Sequence, residues 1–488
     1  MFISNQIVRE DRRKPQLPFW LIVVLIVYLP LEEFILKLLP LPITVIAAIR
    51  SLPELVCYLL FFGLLYQIIT RRCRFKITAI EILFVGFFIW AVFLIIISHL
   101  FFQASLFGGV SGLRTLVRFL SVYYLLVNLE LYDSQIYLIL QTMIGMGMLE
   151  GLIAMAQLLG GSPVKKIFET TSVKMESLLG KAPIAFVGFE KKGSVFGTFS
   201  DASVMALFFL IPAILAVTLV IYWTYIHPKK RYYLLPNWQR IIVLFLIYFG
   251  IISSYKRAVM LIALLLPILV IFYLGKPRIA AWLTLLYGTL LLVLFWGIML
   301  FSFNIDQALS NKSIRKEGQE IKTYLIQLFT PEYWNRSIEG SRLFFMKISC
   351  GNVLGSGYWY GLSPDEDTTV EQLVKLTNNT RDKVKFKETS LYFKDAYWCA
   401  MISFYGVPGT LIYLLILYQL YRHTQAVRQN ASGVVEKLLG VSGSILILLY
   451  GIYSLAEQLP EARTCSFYFW TIAGLVVNVH NRQKSLKS

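Results

Sequence analysis

The sequence predicts an all-α protein: a polytopic bundle of about twelve membrane-spanning helices with one large, outward-facing, partly helical loop domain. Three observations predict it. Of 488 residues, 57% are hydrophobic and 15% charged, against roughly 25% charged in an average soluble domain, too few to cover a water-facing surface of ordinary size. The apolar residues fall in runs of about 20, the length that crosses a bilayer as a helix. Finally, the Lys and Arg clusters between the runs all fall on one side if there are about twelve crossings.

In order, the runs are approximately 18–38, 52–70, 78–101, 113–131, 134–160, 200–226, 239–254, 258–274, 279–303, 395–421, 438–457 and 463–480. The seventh is short, and residues 43–51 read as a partial insertion before the second. Pro30, Glu32 and Glu33 interrupt the first run and no small-residue cleavage site follows it, so a removed signal peptide is not expected. The basic clusters precede the first run (Arg9, Arg12, Arg13, Lys14) and follow the second (Arg71, Arg72, Arg74, Lys76). They recur between the sixth and seventh (Lys229, Lys230, Arg231, Arg240), after the eighth (Lys276, Arg278), after the tenth (Arg422, Arg428) and near the C-terminus (Arg482, Lys484, Lys487). Such clusters stay in the cytoplasm, which puts both termini inside and makes 161–199 and 304–394 the larger outer segments. The chain then divides into 1–303 with helices one to nine, 304–394 as the extracytoplasmic loop domain, and 395–488 with helices ten to twelve and a short cytoplasmic tail. Tyr333, Trp334, Leu343, Phe344 and Phe345 among the loop's charges give it amphipathic stretches able to rest on headgroups.

The five cysteines are scattered and form no C-x-x-C pair, and the four histidines lie far apart, so neither a disulfide framework nor a metal site is suggested. No metal or cofactor is expected. The net charge of +18 includes basic outer segments, with thirteen Lys or Arg in 304–394 alone. Attraction of an anionic substrate or of lipid headgroups accounts for this, as does a merely solvated basic face. Nucleic acid does not fit a surface outside the cell membrane. Asp365-Glu366-Asp367 reads as a solvated turn rather than a nucleotide-sugar motif, and the N-x-[ST] matches at Asn311, Asn335 and Asn378 matter only in a eukaryotic secretory pathway.

Ionisable residues in or beside spans are costly and so mark candidate sites. Arg114 and Arg118, at i and i+4, share a helix face at the outer end of the fourth run. Lys256 and Arg257 sit in an outer turn after Ser253-Ser254-Tyr255, Asp201 opens the sixth run, Arg342 leads toward Gly355-Ser356-Gly357, and Asp395 starts the tenth run. All fall near the outer face, where converging basic groups could hold a diphosphate and a carboxylate could deprotonate a sugar hydroxyl. Taken singly, each also fits snorkelling, turn-filling or helix capping. Glu54 and Glu150 read as inner-leaflet or mid-span carboxylates that pair with basic neighbours or serve a proton pathway, with Glu150 deep in the bundle.

Four pieces together resemble the O-antigen ligase and polymerase superfamily of bacterial polysaccharide assembly. They are Phe196-Gly197-Thr198-Phe199-Ser200-Asp201 running to Ala206, Ser254-Tyr255-Lys256-Arg257-Ala258, the stretch from Arg342 to Gly355-Ser356-Gly357, and Asp395 followed by Gly406 and Pro408-Gly409. The resemblance covers about 190–421; the first half matches only as a hydrophobic pattern. Asp395 stands where the family carries histidine, and Asp201 or Ser203 where it carries asparagine, which leaves the acid-base assignment open. The resemblance implies a GT-C-like, metal-independent, inverting glycosyltransferase in the bacterial inner membrane that uses a polyprenyl-diphosphate-linked glycan. Arg257 and Arg342, with Lys256, would stabilise the leaving diphosphate, and Asp395 would deprotonate or orient the acceptor hydroxyl. Arg114, Arg118, Asp201, Gly355 and Gly357 would bind substrate. Membrane lipids, the glycan acceptor, and chain-length regulators or export proteins would be partners. Polymerisation of repeat units is the leading expectation, ligation to a lipid or protein acceptor the second, and lipid-linked oligosaccharide transport the alternative of another class. Polar sites gathered at one face, without a repeat between the halves, favour an enzyme over a carrier.

Overall fold

The computed structural model describes residues 17–38, 42–70, 77–168, 195–199, 202–225, 237–254, 256–286, 289, 342–455 and 459–486, and every regular element among them is helical. The first nine helices are α1 (Leu17–Leu38), α2 (Ile43–Ile69), α3 (Ala79–Phe102), α4 (Leu106–Val117), α5 (Leu120–Asn128), α6 (Asp133–Phe168), α7 (Ala202–Tyr225), α8 (Asn237–Ser253) and α9 (Arg257–Tyr273). Helical residues 277–286 follow. The described stretch 342–395 holds α10 (Arg342–Met346), a π-helical turn (Lys347–Gly351), α11 (Asn352–Gly355), α12 (Glu366–Leu376), α13 (Thr380–Thr389) and a 3-10 turn (Ser390–Asp395). The chain closes with α14 (Tyr397–Gln429), α15 (Val434–Tyr453) and α16 (Arg463–Ser485).

Among the described residues, length and composition make seven helices able to cross a bilayer: α1, α2, α3, α6, α7, α14 and α15. An eighth results if α4 and α5, bent by 45° at their junction, count as one span. The expectation of twelve is thus met at seven or eight by these criteria. Two of the remainder, α8 and α9, are apolar but only 17 residues long, about 25 Å. Most of the run at 279–303 lies outside the described residues. The last, α16, is long enough but carries Thr464, Ser466, Thr471 and Asn478 among its apolar residues.

Burial explains that composition. Residues 464–479 are buried on every side of α16, which touches α1, α5, α7, α14 and α15. A helix walled by protein needs no lipid-facing surface, so hydroxyls and an amide are tolerated wherever a partner is in reach. The Asn478 amide donates to the carbonyls of Leu126 (2.8 Å) and Leu129 (2.6 Å), and the Tyr468 hydroxyl to Ile26 O (2.8 Å). Trp470 packs between Phe84, Tyr123 and Phe469 at the centre of the core.

Three boundaries differ from the hydropathy reading. Residues 43–51 are no separate insertion: α2 runs unbroken from Ile43, with Pro53 inside it. The fourth span starts at Leu106 and bends after Val117. The fifth continues past 160 to Phe168 across Gly161, whose φ of 61° and ψ of −148° break the helix.

The molecule has two distinct ends. At one, Arg482 pairs with Asp133 (2.5 Å), and Arg428 donates to Tyr273 O (3.0 Å) and lies over the Tyr273 ring. The described basic residues that follow the tenth run and α16 gather here. The other end carries 342–395, seated on α3, α4 and α14. There the Ser363 hydroxyl bonds the Ser98 hydroxyl (3.1 Å), and Pro364 and Asp365 sit directly against Gly112 and Gly108.

Candidate functional site

Polar chemistry at the loop end begins in α1. Pro30 removes one N–H from the helical ladder, and Glu32 and Glu33 follow it. Glu32 accepts from Arg463 Nη1 at the start of α16 (2.7 Å), and Glu33 from Arg50 of α2 (3.0 Å). Glu54, one turn on in α2, takes Arg114 through both Nε (2.9 Å) and Nη2 (2.5 Å). It also lies 3.3 Å from Arg118 Nε and 3.8 Å from Arg463 Nη2. Arg463 further donates to the Arg50 carbonyl. Four guanidiniums thus meet three carboxylates, leaving one net positive charge. The pairs are graded in depth, because side-chain exposure is 3% for Glu32 and 6% for Glu54 but 49% for Arg114.

A second group adjoins the first. Lys394 lies between Glu366 (2.6 Å) and Glu461 (3.3 Å), and Glu461 is two residues before Arg463. Burial pushes the Lys394 ammonium down, but Glu461 and Glu366 outweigh it and hold the group above the ordinary lysine range. Asp395 follows at the end of the 3-10 turn, against which α10, the helix of Arg342, packs. Rings of Phe345, Phe386 and Phe393 meet edge to face in series among these elements.

The turn of Lys256 and Arg257 joins the same end by hydrogen bonds. Ser253 O accepts from Val195 N (3.3 Å), which begins the Phe196-Gly197-Thr198-Phe199 segment. Gln157 of α6 holds this segment as a backbone partner would: its Oε1 accepts from the N–H groups of Phe196 and Gly197 (both 3.0 Å), and its Nε2 donates to Gly197 O (2.6 Å). Glu150 accepts from Thr198 N (3.1 Å), and the Thr198 hydroxyl lies 2.6 Å from Glu150 Oε1 and 2.8 Å from Pro30 O. Pro30 leads directly to Glu32, so the turn, the segment and the ion cluster are continuous.

Of the residues singled out in the sequence, Arg114 and Arg118 do share a face, but both are engaged by Glu54. Glu54 pairs with basic neighbours, as expected, and sits with these arginines at the loop end. Glu150 is fully buried, as expected, yet its partners are the Thr198 N–H and hydroxyl rather than a cation. Asp201 lies outside the described residues. For Arg257, Arg342 and Asp395 the backbone alone is described; it puts Arg342 and Asp395 on touching elements. Gly357 has φ +82° and forms a helix end in which Tyr358 N reaches Val353 O (3.0 Å) and Gly357 N reaches Leu354 O (3.2 Å). Its left-handed backbone is explained by this cap, while the space around both Gly355 and Gly357 is open. Gly406 has φ 68° and ψ −177° inside α14. The backbone groups freed there bond to 359–362, with Val407 N donating to Trp359 O and Leu362 N to Ser403 O (both 2.8 Å).

Sequence reasoning missed Glu32, Glu33, Arg50, Arg463, Glu461 and Lys394. The rule that flagged Arg114, that a charge within or beside an apolar run needs a reason, applied equally to Glu32 and Arg463. Beside the cluster, an apolar groove of about 270 Å³ lies between α1 and α2, lined by Leu25, Tyr28, Ile35, Leu36, Ile49 and Val56 among others. Among the described residues no three His, Cys, Asp or Glu side chains are grouped to hold a metal. No protein-family model matches the chain, and no curated protein matches it at a significant level. The fold itself makes it a multi-helix membrane protein.

Proposed function

We propose that this membrane protein polymerises polyprenyl-diphosphate-linked oligosaccharide repeat units at the outer face of the bacterial inner membrane. The observation that carries the reading is the meeting of the Lys256–Arg257 turn, the Arg342 helix and the Asp395 turn at one end of the bundle, beside an apolar groove. A lipid diphosphate has both chemistries, an anion at headgroup depth and a long apolar tail. The full reading is a GT-C-like bundle of about twelve spans, with α8, α9, the 279–303 run and α16 completing the crossings. Both termini are then cytoplasmic and the loop is extracytoplasmic, supported by the basic residues at the opposite end.

In this reaction the acceptor hydroxyl attacks the anomeric carbon as the carbon–oxygen bond to the diphosphate breaks, inverting the centre. Asp395 takes the hydroxyl proton. Arg257 and Arg342, with Lys256, balance the charge left on the diphosphate. Because Glu54 already neutralises much of Arg114 and Arg118, these two shape the entry to the site rather than grip the leaving group.

The test is glycan length in cells lacking the protein, restored with wild type, Arg257→Ala, Arg342→Ala or Asp395→Asn at equal membrane abundance. Single repeat units held on the carrier, with long chains returning only for wild type, is the expected result; each substitution should cost about 10²-fold or more in rate. Long chains that stay on the carrier would mean ligation instead. Unchanged glycans, or variants that behave as wild type, would overturn the reading and favour transport.

A further inference from the structure

The five cysteines form no pattern in the sequence, yet the fold brings two of them together. The Sγ atoms of Cys350 and Cys399 lie within hydrogen-bonding reach of each other. Cys350 belongs to the π-helical turn Lys347–Gly351, and Cys399 to the first turn of α14, against which that turn packs. The π-helical geometry is part of the arrangement. A wide turn carries one residue more than an α-helical one, so the side chains after it are rotated by about 100° from where an unbroken helix would aim them. The buried Ser349 hydroxyl, bonded to Phe345 O, also reaches Cys399 and holds the two turns in register. Cys350 is half-buried and Cys399 buried, so an oxidant meets Cys350 first. Cys57 and Cys465 are buried elsewhere in the bundle.

We propose that Cys350 and Cys399 are a redox modification site that closes to a disulfide. The pairing rests on the packing of the π-helical turn, which carries Cys350, against α14, which carries Cys399. Its formation in the cell rests on the topology above, which puts both thiols on the oxidising side of the membrane. The reactant is a disulfide-carrying oxidant, either a thioredoxin-like oxidoreductase or a small-molecule disulfide. The Cys350 thiolate attacks one sulfur of that disulfide and releases the other as a thiolate. Cys399 then attacks Cys350 in the mixed disulfide and releases the second. The protein loses two electrons and two protons, and the oxidant becomes two thiols. The bond fastens the segment that carries Arg342 to the helix that begins just after Asp395, and so fixes the spacing of the two residues assigned to the reaction.

Full-length protein in detergent micelles is incubated with oxidised glutathione, alkylated without reduction, digested and mapped by mass spectrometry. The expected result is a linked peptide pair containing Cys350 and Cys399, lost in Cys350→Ser and in Cys399→Ser and retained in Cys57→Ser. The wild-type map alone decides the pairing if a variant fails to fold. Full alkylation of both thiols after oxidation, or a link from Cys350 to any other cysteine, overturns the proposal. Alkylation in intact cells, quenched with acid, separates it from the topology. A link formed in micelles but absent in cells upholds the pairing and overturns the outward placement or its oxidation there, while glycan length tests the polymerase reading independently.

Discussion

Replacing Arg463 by methionine isolates the deepest contact of the ion cluster. Glu32 is 3% exposed and takes Arg463 on Oε2, while its Oε1 has no hydrogen-bond partner. Arg50, the nearest other guanidinium, is held by Glu33. Arg463→Met therefore leaves a buried carboxylate without its cation, a loss that costs about 3–5 kcal/mol where one member of a buried pair is removed. Adding Glu32→Gln removes the orphaned charge, so the double variant should recover most of that loss. Arg114→Ala is the contrast. Its side chain is 49% exposed and Glu54 keeps Arg118, so solvent screening limits the cost to about 1 kcal/mol or less. The assay is reversible unfolding in mixed micelles titrated with sodium dodecyl sulfate, read by tryptophan fluorescence, with a double-mutant cycle across Glu32 and Arg463. A stable Arg463→Met variant would refute the reasoning, as would a double variant weaker than the single one.

Two further substitutions probe the backbone devices around the site. Gly406→Ala places a Cβ against the Tyr360 carbonyl in a backbone conformation that only glycine adopts readily, so about 3 kcal/mol or more should be lost, measured in the same unfolding assay. Gln157→Leu strips the side-chain partners from Phe196 N, Gly197 N and Gly197 O at about 1–3 kcal/mol for each buried group left unpaired, and hydrogen exchange by mass spectrometry should show 195–199 losing protection while α16 keeps its own.

Legibility in the sequence tracked how local each feature is. Long apolar runs such as α3 and α7 declare themselves by length and apolarity, and their ends fell within a few residues of the expected ones. The start of α2 was obscured because Pro53 looks like a boundary, although its missing N–H leaves the helix continuous. The break in α14 at Gly406 is repaired by residues 359–362, which no local window contains. The loop end was legible as a place where charges collect. Its pairing was not, since Glu32, Glu54, Arg114 and Arg463 come from four helices and each reads alone as an isolated cost. Glu54 was read apart from Arg114 and Arg118 for the same reason: these partners lie two helices further along the chain.

The enclosure of α16 has a consequence for how the protein is made. Its neighbours include α1, α5, α7, α14 and α15, and the ribosome finishes all of them before α16 exists. In the finished fold the faces they turn toward residues 464–479 are covered by α16. That central seat is thus filled by a polar-flecked segment made after the helices that wall it. Arg463 clasps Glu32, linking α16 to α1, and Asn478 ties off the carbonyls at the far end of α5.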